Sequence, residues 1–216
     1  MPQDKITQPK KVQFLGGAAR AAQVEQITKE DLPRVVLAGR SNVGKSSLLN
    51  ALTKSKIARV SSEPGKTREI NLFRWSVAYG SQGLCILADL PGYGYAKVAG
   101  SLKRQWGQEI TKWLKSDPLI REVVVLVDGR HGFFPQDLEL IEFLRSHEIS
   151  YLVAFTKMDK WKSNNQRSNA EKDLARVSKT AGVERFVFVS SMASSGVQPL
   201  EAALRESFGL AGARAP

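Results

Sequence analysis

One cysteine, two histidines and the absence of any long apolar run set the first limits on this chain of 216 residues. A single thiol, Cys85, cannot build a disulfide framework, and its place in an apolar stretch fits a reducing compartment, the cytoplasm. His131 and His147 lack cysteines or carboxylates at metal-ligand spacing, which excludes a histidine-based metal centre. The longest wholly apolar run, residues 123–127, is a buried strand and far too short to span a bilayer. Residues 1–11 are polar and carry no apolar h-region, so no signal peptide and no membrane partner are expected.

Acidic residues are also scarce, 21 Asp and Glu against 32 Lys and Arg, for a net charge of +11. The excess is regional. Residues 54–74 hold six basic side chains against two acidic, residues 97–121 six against two, and residues 157–185 eight against four. Each window is therefore +4 and the rest of the chain sums to −1. Clustered Lys and Arg neutralise phosphates and release counterions, so a polyanion larger than a nucleotide is an expected partner. Solvated lysine that only keeps the protein soluble is the alternative.

The length suits one α/β domain with modest tails. Residues 1–33 show no sustained period and read as a flexible or loosely docked extension with room for a short strand; 34–209 form the domain; 210–216 are a disordered tail. Strands are expected over 34–39, 122–128, 150–155 and 185–189, and helices over 45–53, from Leu102 to Leu114, from Pro135 to His147, up to Gly182, and through Leu200 and Leu204. Phe73, Trp75, Val77 and Tyr79 alternate before the Gly/Ser turn of residues 80–83, and residues 84–89 follow, which predicts an antiparallel hairpin. The whole is a three-layer, mostly parallel sheet with one antiparallel strand, six strands in all.

Ligands of such sheets sit beyond the carboxyl ends of the strands. There the first strand runs into Gly39-Arg40-Ser41-Asn42-Val43-Gly44-Lys45-Ser46, a G-x-x-x-x-G-K-[ST] that opens a helix. Its glycines let successive backbone N–H groups point inward, and the helix adds about half a positive charge at its N-terminus, so triphosphate is the natural guest. Lys45 is placed to reach the β- and γ-phosphates and Ser46 to ligate Mg²⁺. Asp89-Leu90-Pro91-Gly92 is a D-x-x-G, whose Asp89 can hold Mg²⁺ and whose Gly92 N–H can meet the γ-phosphate. Thr156-Lys157-Met158-Asp159 is a [NT]-K-x-D. The Asp159 carboxylate can accept from N1–H and the exocyclic amine of guanine, whereas adenine has no N1 donor; discrimination of this kind reaches about 10⁴. Lys157 would pack along the base, and Val189-Ser190-Ser191-Met192 would offer backbone N–H groups to guanine O6. Each motif alone reads as a cap or turn, as Asp128 does. Together, in this order, they read as a GTP site, and Asp159 argues against an ATPase.

These residues resemble the TRAFAC translation-factor-like GTPases and, more closely, the EngB family (also called YihA or YsxC) of bacterial ribosome-biogenesis GTPases. The likeness rests on the P-loop through Ser47, on Pro64-Gly65-Lys66-Thr67, on Asp89-Leu90-Pro91-Gly92-Tyr93-Gly94-Tyr95-Ala96 and on Thr156-Lys157-Met158-Asp159-Lys160. It implies Mg²⁺–GTP binding by a monomeric switch, maturation of the large ribosomal subunit or its precursor, and an effect of loss on division and septation. It also implies that Gly65, Lys66 and Thr67 line the nucleotide and that Thr67 joins the Mg²⁺ shell. Tyr93 follows Gly92 where small G proteins place a water-orienting Gln, so unaided hydrolysis should be slow, on the order of 10⁻³ s⁻¹ or below. Related GTPases with Asn at the position of Asn42 suggest K⁺ binding there; a loop-stabilising amide is the other reading. Lys45, Thr67 and Asn42 are thus the catalytic candidates. The rival function is a nucleotide-regulated binding module for a division or envelope protein, with incidental hydrolysis.

Overall fold

The computed structural model describes residues 12–58, 69–76, 83–93, 102–192 and 196–210. Seven strands form one sheet: β1 (Gln13–Ala18), β2 (Arg34–Gly39), β3 (Ile70–Ser76), β4 (Leu84–Asp89), β5 (Ile120–Asp128), β6 (Tyr151–Thr156) and β7 (Phe186–Phe188). Their order is β1-β3-β4-β2-β5-β6-β7, with β2 at the centre. Pairing is parallel from β4 to β7, while β3 runs antiparallel to both β4 and β1. β3 is thus the one reversed strand, as the hairpin pattern predicts, and Trp75 faces Cys85 across the pair. Val77 and Tyr79 lie outside the described residues.

The sheet has seven strands, where six were expected. The additional one, β1, falls in the stretch read as a flexible or loosely docked extension with room for a short strand, and α1 (Ala22–Thr28) follows it onto the same edge with Val24 fully buried. Gly16 and Gly17 sit mid-strand, where glycine weakens the local strand signal, and the register shifts between Phe14 and Gly16. Pairing with β3 is a long-range contact that the local pattern does not carry. Residues 1–11 and 211–216, which hold the remainder of the two expected tails, lie outside the described residues.

Successive side chains of a strand point to opposite faces, and here both faces are covered. Val36, Ala38, Ile86, Ala88, Val125 and Phe155 meet α1, α3 (Leu102–Ser116), α4 (Pro135–Ser146) and α5 (Asn164–Thr180). Val35, Leu37, Cys85, Leu87, Leu126 and Ala154 meet α2 (Lys45–Thr53) and α6 (Gln198–Ser207). That accounts for the near-continuous aliphatic runs of β2 and β5, since a strand buried on both sides has no polar face to alternate. Burial pushes the Cys85 thiol far up, so it is inert. No helix among the described residues is long and apolar enough to cross a membrane.

Candidate functional site

At the carboxyl end of β2 the chain turns through residues 40–44 into α2. Asn42 (φ 64°) and Gly44 (φ 104°) both take left-handed backbone, which curls the loop. Lys45 opens α2 and is nearly buried; its ammonium donates to Asp89 Oδ1 at the end of β4. Burial pushes the Asp89 carboxyl up, against the charge and hydrogen bond of Lys45, which pull it down. P-loop lysine and D-x-x-G aspartate are therefore in direct contact across neighbouring strands.

Residues 90–93 continue along the P-loop. Leu90 N donates to Leu37 O at 3.0 Å, Tyr93 N to Gly39 O at 3.3 Å and Ser41 N to Tyr93 O at 2.9 Å. Gly92 lies so close that a Cβ there would sit 3.0 Å from Ser41 N, a contact only glycine avoids. Tyr93, at the position of a water-orienting glutamine, is 1% exposed, and its hydroxyl donates 2.9 Å to Asp137 Oδ1 in α4. Its phenol oxygen is committed to the core.

The third motif is tied to the first by two hydrogen bonds. Thr156 Oγ1 donates to Val43 O at 2.7 Å, and Lys157 Nζ donates to Asn42 O at 2.6 Å. Lys157 also pairs with Asp128 at 2.9 Å. Asp128 accepts from Arg130 N at 3.1 Å and from its guanidinium at 2.9 and 2.7 Å, so it is the turn cap expected of it and also an anchor for Lys157. Burial lifts its carboxyl, but the hydrogen bonds from Arg130 and Lys157 outweigh that and hold it well below the ordinary carboxylate range. Met158 is buried beneath the loop. Asp159 stays partly exposed and accepts from Ser190 Oγ at 2.7 Å, which aims the carboxylate; Ser190 Oγ in turn accepts from Met192 N at 3.4 Å. Met158 N donates to Val189 O at 3.3 Å, seating the last motif beside the third, and the Met192 side chain is 76% exposed.

All the P-loop, D-x-x-G, T-K-M-D and 189–192 residues thus gather along one rim of the sheet. Gly65, Lys66 and Thr67 lie outside the described residues. Among the described residues no cluster of three or more His, Cys, Asp and Glu side chains could hold a metal. Ser46 and Asp89 are hard oxygen donors of the kind Mg²⁺ takes together with phosphate oxygens, so the donor set fits that ion. A cavity of ≈ 640 Å³ lies at the opposite rim, lined by Asp117, Arg121, Ser150, Arg185 and Ser207 among others, and holds none of the motif residues. Sequence reasoning missed Asp137 as the partner of Tyr93; the signal was an acidic side chain in the first turn after Pro135, which reads only as a helix-start feature.

The family model described as a 50S ribosome-binding GTPase matches residues 34–157. A probable GTP-binding protein EngB from Alkaliphilus metalliredigens is 39% identical over 188 residues, 85% of this chain and 86% of that protein. The chain belongs to the EngB family of GTP-binding proteins. Another EngB relative, from Pelotomaculum thermopropionicum, is 39% identical over 204 residues, 94% of this chain and 98% of its own. A crystal structure of a probable EngB superposes with TM-score 0.58 at 27% identity, over 82% of this chain and 98% of that chain. Aquifex aeolicus Era bound to GDP.AlF4- superposes with TM-score 0.63 at 22% identity, over 80% of this chain and 56% of Era, and shares the fold. Like its EngB relatives, the chain is a P-loop GTPase.

Proposed function

We propose that the chain is a Mg²⁺-dependent GTPase switch that docks on the large ribosomal subunit or its precursor in the cytoplasm, as a monomer, and that its effect on division and septation follows from that role. The observation that carries the nucleotide part is the convergence of Lys45, Asp89 and the Lys157–Asn42 bond on one rim. Phosphates would take the P-loop N–H groups and Lys45; guanine would take Asp159, held by Ser190, with Lys157 along its face. Ser46, Asp89 and Thr67 would hold Mg²⁺, which supplies positive charge at the β- and γ-phosphates. Tyr93 has its hydroxyl on Asp137 and so orients no attacking water, which supports slow intrinsic hydrolysis. K⁺ beside Asn42 would supply the missing charge; equal rates in KCl and NaCl at matched ionic strength would reject that part.

The ribosomal part rests on the matched family model and on charge. The outward side of α5 presents Lys172, Arg176 and Lys179 at helical spacing, all exposed, and Arg176 pairs with the exposed Asp173 at 3.3 Å. Such a stripe suits a phosphate backbone. In the docking cycle, γ-phosphate contacts to Thr67 and Gly92 would favour the competent loops, and hydrolysis would remove them. Sedimentation with 50S subunits tests it: binding should favour a GTP analogue over GDP and weaken as salt rises. Nucleotide-indifferent, salt-insensitive binding contradicts the proposal, and capture of a division or envelope protein with no ribosome association would favour the rival module.

A further inference from the structure

Tyr93 is held by more than its hydrogen bond to Asp137. Asp137 is 1% exposed, and its second oxygen accepts from Phe134 N at 2.8 Å, so the carboxylate cannot follow Tyr93 without uncapping α4. The Phe134 ring carries the guanidinium of Arg40, whose carbon lies 3.7 Å from the ring centroid. Among the described residues Arg40 Nε is buried without a hydrogen-bond partner, and the guanidinium stacks on the ring within electrostatic reach of the Asp137 carboxylate. The Arg40 charge acts on both the Tyr93 hydroxyl and the Asp137 carboxyl, drawing each down against the burial that lifts them. Arg40 and Tyr93 also pair as a parallel bridge in the backbone. Second P-loop residue, first residue after D-x-x-G and first turn of α4 thus close one ring of contacts.

We propose that Asp137 and Arg40 are positioning residues for the terminal phosphate, clamping Tyr93 so that the Gly92 N–H is fixed against the P-loop where a γ-phosphate would lie. The bond from Ser41 N to Tyr93 O and the close approach of Gly92 to Ser41 transmit the clamp, since moving Tyr93 moves both. Gly92 is a group that a triphosphate uses and a diphosphate does not. The clamp therefore sets the preference between GTP and GDP rather than nucleotide affinity as a whole. This rests on the placement of GTP described above.

Calorimetric titration with Mg²⁺ and either GDP or a β,γ-imido GTP analogue reads that preference directly. Tyr93→Phe removes one hydroxyl and should keep GDP affinity within about twofold while weakening the analogue about tenfold. Asp137→Asn, which still accepts from Tyr93, should fall between wild type and Tyr93→Phe. Asp137→Ala combined with Tyr93→Phe should be no worse than the more affected single change. Arg40→Ala, which leaves the hydrogen bond from Phe134 N to Asp137 in place, gives the same reading if Asp137→Ala does not fold. Equal weakening of GDP and analogue, or an unchanged ratio in Tyr93→Phe and Arg40→Ala, overturns the clamp; failure of wild type to bind the analogue would instead overturn the underlying site.

Discussion

The two rims of the sheet each bury a cation against a carboxylate, and they treat the pair differently. At the amino rim Arg34, the first residue of β2, pairs with Asp117 with both side chains almost fully buried. Asp117 is further engaged by Trp113 Nε1 at 2.6 Å and Leu119 N at 3.0 Å. Glu122 at the same rim gathers Ser150 at 3.1 Å, Arg185 at 2.9 Å and Ser207. At the carboxyl rim Asp89 has Lys45 as its hydrogen-bond donor among the described residues. Carboxylates saturated by protein donors have no capacity left for a ligand, whereas Lys45, with three donors, and Asp89, with several lone-pair sites, retain it. The amino rim is built for stability and the carboxyl rim for exchange of partners.

The contrast breaks most readily at Asp159. Replacing it with Ala should erase discrimination of GTP from ATP, a change of up to about 10⁴, with the melting temperature nearly unmoved; competition of ATP against labelled GTP measures it. Asp117→Ala should do the reverse, costing about 3–5 kcal/mol in denaturant unfolding because Arg34 is left buried and uncompensated, while GTP affinity of the folded protein stays the same. Lys45→Ala should weaken Mg²⁺–GTP about a hundredfold by calorimetry. It should destabilise less than Asp117→Ala, since Asp89, already lifted by burial, can take a proton instead.

The smallest effect concerns acid. Asp128 is held below its ordinary range in the folded protein, so its contribution to stability is complete above about pH 4 and is lost as pH falls towards its folded pKa. Asp128→Asn should therefore show a shallower fall in stability below about pH 4 than wild type, in thermal melts across that range. An identical slope would remove Asp128 from the anchoring of Lys157.

Most of the carboxyl rim was legible because its signals are local. Gly44 acts through its left-handed backbone at the very place where it stands, Lys45 follows it directly, and α2 begins and ends at the residues the pattern marks. The unreadable parts depend on partners distant in sequence. β1 depends on β3, far along the chain: Ala18 pairs with Ile70, 52 residues on, and no local cue marks that partner. Arg34 opens an expected strand and Asp117 lies 83 residues on, and nothing near either announces the other. Tyr93 reads as a substituted glutamine; its burial against Asp137 is a property of the packed α4.

The most direct test of the difference between the rims is the crystal structure of the Mg²⁺–GTP-analogue complex. Lys45 Nζ should lie on the β- and γ-phosphate oxygens, released from Asp89, with Asp89 on the metal side and Arg34 still paired to Asp117. Lys45 retained on Asp89, with the triphosphate bound elsewhere, would contradict it.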